Sequence, residues 1–124
     1  MFKENASQFV ENSSIGIHTV SSDGIIQYAN QCELDTLGYS HDEYVGHHVS
    51  EFQLDQVILD DMMCKLEDFE ILKNYPSKVK GKNGLKYILY NSSVYSENGK
   101  FVHTRCSGSE LDEATYELFK TKLG

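Results

Sequence analysis

Three dipeptides do most to limit what this chain can fold into: Asp23-Gly24, Asn83-Gly84 and Asn98-Gly99. Each offers residues that tolerate positive φ, the conformation a tight primed turn between antiparallel strands demands. The sequence on either side of each is strand-like. "SIGIHTVSS" and "IIQYAN" flank the first, "YPSKVKGK" and "LKYILYNSSVYSE" the second, and the latter run passes through the third turn into "KFVHTRCSGS". The pattern predicts five strands, two early and three late. The stretch between the two groups is helical in character. Asn30 is suited to cap "QCELDTLGY", "SHDEY" opens a short turn, and "LDQVILDDMMCKLEDF" repeats apolar residues at three-and-four spacing. At the ends, Phe2, Ala6, Phe9 and Val10 share one face of an N-terminal helix, and Leu111, Tyr116, Phe119 and Leu123 give an apolar side to a C-terminal one. The expected division is a flanking helix over 1–12, a sheet-and-helix domain over 13–109, and a helix over 110–124 that serves as an output connector.

Composition narrows the functional classes. A chain of 124 residues that is 40% hydrophobic and 24% charged closes one core. Its formal net charge of -8 opposes binding to nucleic acid or to an anionic membrane surface, both of which need a positive field. A small molecule or a protein is the expected partner. Cys32, Cys64 and Cys106 are too widely spaced for a zinc knuckle or a disulfide framework, so they read as reduced thiols in a cytoplasmic domain. No apolar run approaches the roughly 20 residues that cross a bilayer, and "MFKENASQFVENSS" is too polar for a signal peptide. The expectation is a soluble chain with no direct membrane insertion, although a parent protein is free to be membrane-bound.

The order of these signals carries a family resemblance. "GIHTVSSDGIIQYANQCELDTLGYSHDEYVGHHVSEF", the long helix, and "VKGKNGLKYILYNSSVYSENGKFVHTRC" together resemble a PAS sensor domain over about Ser13 to Asp112. The resemblance implies an α+β fold: a five-stranded antiparallel sheet in the order 2-1-5-4-3, helices over one face, and a ligand cavity between. It also implies a signal-sensing or signal-relay role, as in two-component systems, with an effector domain downstream such as a histidine kinase. Where many PAS domains read Arg-Asp-Ile-Thr before the output helix, this chain has Ser109-Glu110-Leu111-Asp112.

Residue-by-residue comparison disfavours two cofactors. Haem-binding members generally use a histidine on the long helix, and Leu54 to Phe69 contains none; Met62 and Met63 read as packing. The light-oxygen-voltage motif Gly-x-Asn-Cys-Arg-Phe-Leu-Gln, laid over Gly46 to Gln53, puts Val49 at the reactive cysteine, so no flavin photoadduct is expected. Cys64 reads as a buried small hydrophobe. Adjacent side chains diverge on either a helix or a strand, so His47 and His48 are poorly placed to share a metal; they are expected in the connection before the long helix, with Val49 and Phe52 facing the core. No metal site and no catalytic residue is expected, because the chain lacks a nucleophile elbow, a phosphate-cradling glycine loop and a histidine–carboxylate motif of diagnostic spacing.

Hairpin register locates a candidate ligand wall. With Asn98-Gly99 as a two-residue loop, Glu97 pairs with Lys100, Val94 with His103 and Ser92 with Arg105; with Asn83-Gly84 as the other, Val79 pairs with Ile88. Lys78 and Lys80 belong in solvent, which turns Val79, Ile88, Tyr90, Ser92, Val94, Phe101, His103 and Arg105 inward. Ile15, Ile17, Thr19, Ile26 and Tyr28 extend the same wall. Two readings of Arg105 follow: from the inner face it pairs with a helix carboxylate such as Glu51 or Asp55 or reaches the sheet edge and water, or it holds a small organic acid together with His103, Tyr90 and Ser92. In the second, Phe101, Ile88, Val57 and Ile17 enclose the ligand's apolar body. Phe2, Phe9 and Val10, with Leu89, Tyr95 and Val102 on the outer face, suggest a homodimer interface, the rival being a helix folded back on its own sheet. As a whole, the chain reads as a ligand-binding sensor or, alternatively, as a ligand-free dimerisation and protein-interaction module.

Overall fold

A computed structural model describes residues 3–123. Phe2 therefore lies outside the described residues. The chain runs α1 (Ala6–Glu11), β1 (Gly16–Val20), β2 (Ile26–Ala29), α2 (Gln31–Leu37), α3 (His41–Tyr44), a single 3-10 turn (Val49–Glu51), α4 (Gln56–Glu67), β3 (Leu72–Gly81), β4 (Gly84–Glu97), β5 (Lys100–Leu111) and α5 (Glu113–Leu123). The strands form one antiparallel sheet in the order β2-β1-β5-β4-β3. This is the α+β architecture expected from the sequence. Among the described residues no helix is long and apolar enough to cross a membrane.

Local chemistry explains the helix starts. Asn30, Ser40 and Asp55 cap α2, α3 and α4 by accepting backbone N–H bonds, and Glu43 closes a capping box with Ser40. Gly38 ends α2 in the left-handed conformation at φ 86°. On α4, Leu59, Met62 and Leu66 fall on one face and are buried. They meet a core of Val20, Ile26, Leu34, Leu37, Tyr44, Phe52, Leu72, Tyr75, Val79, Ile88 and Tyr90, against which Val49, Val94 and Phe101 pack at the margin. His48 caps the 3-10 turn through Nδ1 and His47 precedes it, in the connection foreseen for the pair.

The turns set the register, and one of them differs from the sequence reading. Asn98-Gly99 is the two-residue loop expected, with both residues at positive φ. The β3–β4 loop instead consists of Lys82 and Asn83, because Gly81 pairs with Gly84. Val79 then faces Lys86 rather than Ile88, a slip of two residues that leaves each side chain on its expected face. A second change, within β5 itself, has the opposite effect. Ser96 pairs with Phe101 but Tyr95 pairs with His103, so Val102 is an extra residue and β5 is bulged. Beyond the bulge the two faces of β5 exchange: Thr104, Cys106 and Gly108 turn to the core, and His103, Arg105 and Ser107 turn away.

One side chain ties three elements together. Asn30 is fully buried; its Oδ1 accepts from Ile17 N and Glu33 N, and its Nδ2 donates to the carbonyls of Val10 and Ile15. Asn30→Ala strands these groups and removes the cap, so it should lower stability in a urea titration by about 2–4 kcal/mol. A loss below about 0.5 kcal/mol would show that α1 and β1 are held by other means.

Candidate functional site

Two glycines open the space in which the site forms. Gly16 of β1 pairs with Gly108 of β5. A Cβ on Gly16 would lie 2.6 Å from Glu33 Oε1 and 3.2 Å from Glu33 Cα, and one on Gly108 would meet Ile88 and Tyr90 at 2.9 and 3.1 Å. The missing side chains let α2 lie close against the sheet, and Asn30 fixes its first turn there. The carboxylate of Glu33 is thereby delivered into the core.

The polar cluster spans five elements. His18 on β1 and Cys106 on β5 are directly opposed across the sheet. His18 Nδ1 lies 2.7 Å from Glu33 Oε2, with the two side chains 8% and 3% exposed. The contact is an ion pair off the N–H line, because Nδ1 has no partner in hydrogen-bond alignment. Tyr44 Oη donates to the same Glu33 oxygen at 2.9 Å. Ser92 Oγ donates to Cys106 Sγ at 3.1 Å, and Cys106 Sγ donates to Thr104 Oγ1 at 3.3 Å. The His18 ring stands edge-on to Tyr90 at 5.9 Å and to Tyr44 at 6.3 Å.

Burial and charge act against each other here. Burial alone would lower the His18 pKa, but the negative charges of Cys106 and Glu33 outweigh it and push the pKa up to about 10. Burial would likewise raise Glu33 and Cys106; the imidazolium of His18 holds both below their ordinary values. Burial and the charge of Glu33 hold the Tyr44 and Tyr90 phenols well above the usual range, so both stay protonated.

A cavity of about 50 Å³ borders the cluster. Its polar wall comprises His18, Tyr44, Gln53, Tyr90, Thr104 and Cys106, and its apolar wall includes Val49, Phe52, Leu59, Met62 and Leu66. Tyr90 is 5% exposed, and its hydroxyl makes no hydrogen bond among the described residues. Gln53 accepts from Ser77 Oγ at 2.9 Å. No group of three or more His, Cys, Asp or Glu side chains among the described residues is arranged to hold a metal.

The structure divides the residues singled out from the sequence. Tyr90, Ser92 and Ile88 are buried on the core side, and Phe101 packs at its edge. Arg105 is not inside: the Val102 bulge puts it on the outer face, where it donates to Ser93 Oγ at 3.3 Å and lies 5.6 Å from the Tyr95 ring centre. His103 goes with it, its Nδ1 against its neighbour's carbonyl. Neither reading of Arg105 survives. Ile17, Thr19 and Tyr28 also line an outer groove with Val10, because Gly16, His18 and Val20 are the inward residues of β1. Val57 is 78% exposed on α4, and Cys64 is exposed rather than buried. Leu89, Tyr95 and Val102 are half-buried on the outer face, Val10 is half-buried and Phe9 exposed. The sequence reading missed His18, Glu33, Tyr44, Thr104 and Cys106. A buried histidine was marked only by its place between Gly16 and Val20, two residues to either side.

No family model matches the chain. In sequence it is 27% identical over 121 residues to the mouse high affinity cAMP-specific and IBMX-insensitive 3',5'-cyclic phosphodiesterase 8A, covering 90% of this chain and 15% of that protein. In structure it matches the PAS domain of an HTR-like protein from Haloarcula marismortui with a TM-score of 0.71, 20% identity, and 84% and 87% of the two chains covered. The chain has the PAS fold. A light-oxygen-voltage domain studied with a flavin analogue matches it at a TM-score of 0.79 and 16% identity, over 93% of this chain and 90% of that one. Further light-oxygen-voltage domains superpose as well. They overturn the expectation that disfavoured flavin and haem: light-oxygen-voltage domains, one of them studied with a flavin analogue, share this PAS fold, so the exclusion does not stand. The organic-acid ligand falls separately, since it depended on an inward Arg105. Val49, at the position laid over the reactive cysteine of that motif, lines the cavity and brings no thiol to it.

The electrostatics fix the sign of a pH effect. His18, with a raised folded pKa, adds stability that is full below its ordinary 6.5 and is lost as pH rises toward about 10. Glu33, with a lowered pKa, adds stability that is full above its ordinary 4.5 and is lost as pH falls through its folded value. Glu33→Gln leaves a buried imidazolium unpaired and should cost about 3–5 kcal/mol near pH 6. The deficit should shrink as pH rises from 6.5 toward 10. Chemical denaturation of both proteins across that range measures it, and a pH-independent deficit would contradict the pairing.

Proposed function

We propose that this chain is a signal-sensing PAS module of a larger signalling protein, and that its input is a small ligand received in the internal cavity. The observation that carries the reading is the mixed wall. His18, Tyr44, Tyr90, Thr104 and Cys106 meet an apolar α4 face across about 50 Å³, the combination of shape and convergent polar groups that marks a ligand site. The role is binding and relay rather than catalysis. α5 is the natural connector, since it follows β5 after Asp112, whose carboxylate accepts from Thr115 N at 2.7 Å, and it packs on β3 and β4. The reading divides the chain into a flanking helix over 1–12, a sensor over 13–109 and a connector over 110–124. A PAS domain from a two-component sensor histidine kinase, 9% identical with a TM-score of 0.71, illustrates the kind of parent protein in view.

Native mass spectrometry of the gently purified chain should reveal a retained small molecule, and added flavin mononucleotide and haem serve as separate arms. Binding raises the melting temperature by mass action. Tyr90→Phe should weaken the ligand by up to about tenfold, one neutral hydrogen bond's worth. A bare mass together with an unmoved melting temperature in every arm would defeat the reading.

The outer sheet face supports self-association as a property of the same module. α5 covers one end of that face, with the Tyr116 ring tilted against Tyr87 at 4.7 Å, and Val10 of α1 borders the other; Leu89, Tyr95 and Val102 remain half-buried. Light scattering should give a dimer for the intact chain and a monomer for a chain lacking residues 1–12. Two monomers would end the idea.

A further inference from the structure

The cavity wall holds a cysteine in a setting unlike that of the other two. Cys64 is exposed on α4, and Cys32 is half-buried on α2. Cys106 is 6% exposed, faces His18 across the β1–β5 ladder, and has hydroxyls at 3.1 Å (Ser92) and 3.3 Å (Thr104). A buried structural cysteine is ordinarily surrounded by apolar groups and is inert. This one is ringed by a cationic ring and two hydroxyls, either of which rotates to donate to sulfur. The Thr104 hydroxyl hydrogen is free for this, because Thr104 Oγ1 already accepts from Val20 N at 2.9 Å.

A second observation shows that the wall is built to meet a polar guest. Tyr90 is 95% removed from solvent, yet its phenol lacks a hydrogen-bond partner among the described residues and borders the cavity next to His18. Buried phenols normally find a partner. A cavity of about 50 Å³ suits a molecule of a few heavy atoms, and its other wall is the sulfur itself.

We propose that Cys106 is a hydroperoxide-reactive thiol, reached through the internal cavity and served by His18 as its proton partner. The proposal rests on the cavity being the sensing site, and it names the chemistry of the signal. In the reactive form the thiol proton, otherwise donated to Thr104 Oγ1, resides on His18, and the Thr104 hydroxyl hydrogen turns to the sulfur. The sulfur attacks the distal oxygen of the hydroperoxide; the S–O bond forms as the O–O bond breaks, sulfur loses two electrons and the peroxide gains them. The distal OH stays on sulfur as a sulfenic acid, and the leaving alkoxide or hydroxide takes the His18 proton to depart as alcohol or water. Glu33 and Tyr44 hold the imidazole in place, and the Tyr90 hydroxyl is positioned to bond a peroxide oxygen. The product carries an extra oxygen between β5 and α4, where a packed wall has little slack.

The test treats the intact chain briefly with hydrogen peroxide and quenches it into urea containing dimedone, which then reaches every cysteine, traps sulfenic acid and ignores methionine oxidation at Met62 and Met63. Peptide mass spectrometry then gives the labelling rate at each cysteine. Cys106 should be trapped at least about tenfold faster than Cys64 despite its burial, because thiolate character outweighs exposure. Cumene hydroperoxide, too bulky for the cavity, should reverse that order. His18→Gln should slow Cys106 about tenfold and leave Cys64 unchanged; should that variant fail to fold, the two-peroxide comparison on the wild-type chain still decides. Trapping at Cys64 first with both reagents would overturn the proposal. If Cys106 is unreactive while native mass spectrometry still finds a bound small molecule, the peroxide chemistry falls and the sensor reading stands; if neither is seen, both fall.

Discussion

One residue inserted into β5 between Phe101 and His103 decides which side chains of the central strand meet the helices. Without the Val102 bulge, Arg105 would face a core in which the Glu33 carboxylate is already taken by His18 and Tyr44. With it, Thr104 and Cys106 face inward, and the cationic fork of Arg105 lies in water beside Tyr95. The desolvation penalty for an unpaired buried charge is several kcal/mol, far more than a local distortion of the ladder costs. The bulge is therefore the arrangement that lets a strand reading Phe-Val-His-Thr-Arg-Cys occupy the centre of a sheet covered by helices.

The buried ion pair depends on that arrangement and on the backbone around it. Gly16 and Gly108 give α2 its close approach, Asn30 pins the first turn, and Glu33 then has one direction in which to point. A pair such as His18–Glu33 adds little net stability over well-packed apolar groups, because both charges leave water to form it. Its presence is better understood through function. It places a proton-carrying ring beside a thiol and an unpartnered phenol at the edge of a cavity, and it does so with groups drawn from β1, α2, α3, β4 and β5. A change at any one of them is felt by the elements that carry the others.

Much of the fold was legible because its signals are local. Asn30, Ser40 and Asp55 announce helix starts, the α4 spacing shows one buried stripe, and Asn98-Gly99 fixes its hairpin. The inner face of β4 was also legible, since the slip to a Lys82-Asn83 loop moves partners by two and preserves every face. The site was not, for two physical reasons. A bulge whose residue keeps ordinary φ leaves no mark in the sequence, so the alternation of β5 was carried one residue too far. In β1 the apolar alternation of Ile15, Ile17 and Thr19 points to the outer groove beside Val10, while the inward set is Gly16, His18 and Val20. Apolarity indicates the core face only when the other face is open to water, and here helices lie on both sides.

The register of β4 against β5 is the most direct point of decision. Nuclear Overhauser contacts across this hairpin read it without reference to any ligand. The account predicts cross-strand contacts from Ser92 to Cys106 and from Val94 to Thr104, with His18 ring protons near the Cys106 Hβ protons. Contacts from Ser92 to Arg105 and from Val94 to His103 would contradict it, because they would return Arg105 to the core and remove Cys106 from the cavity wall.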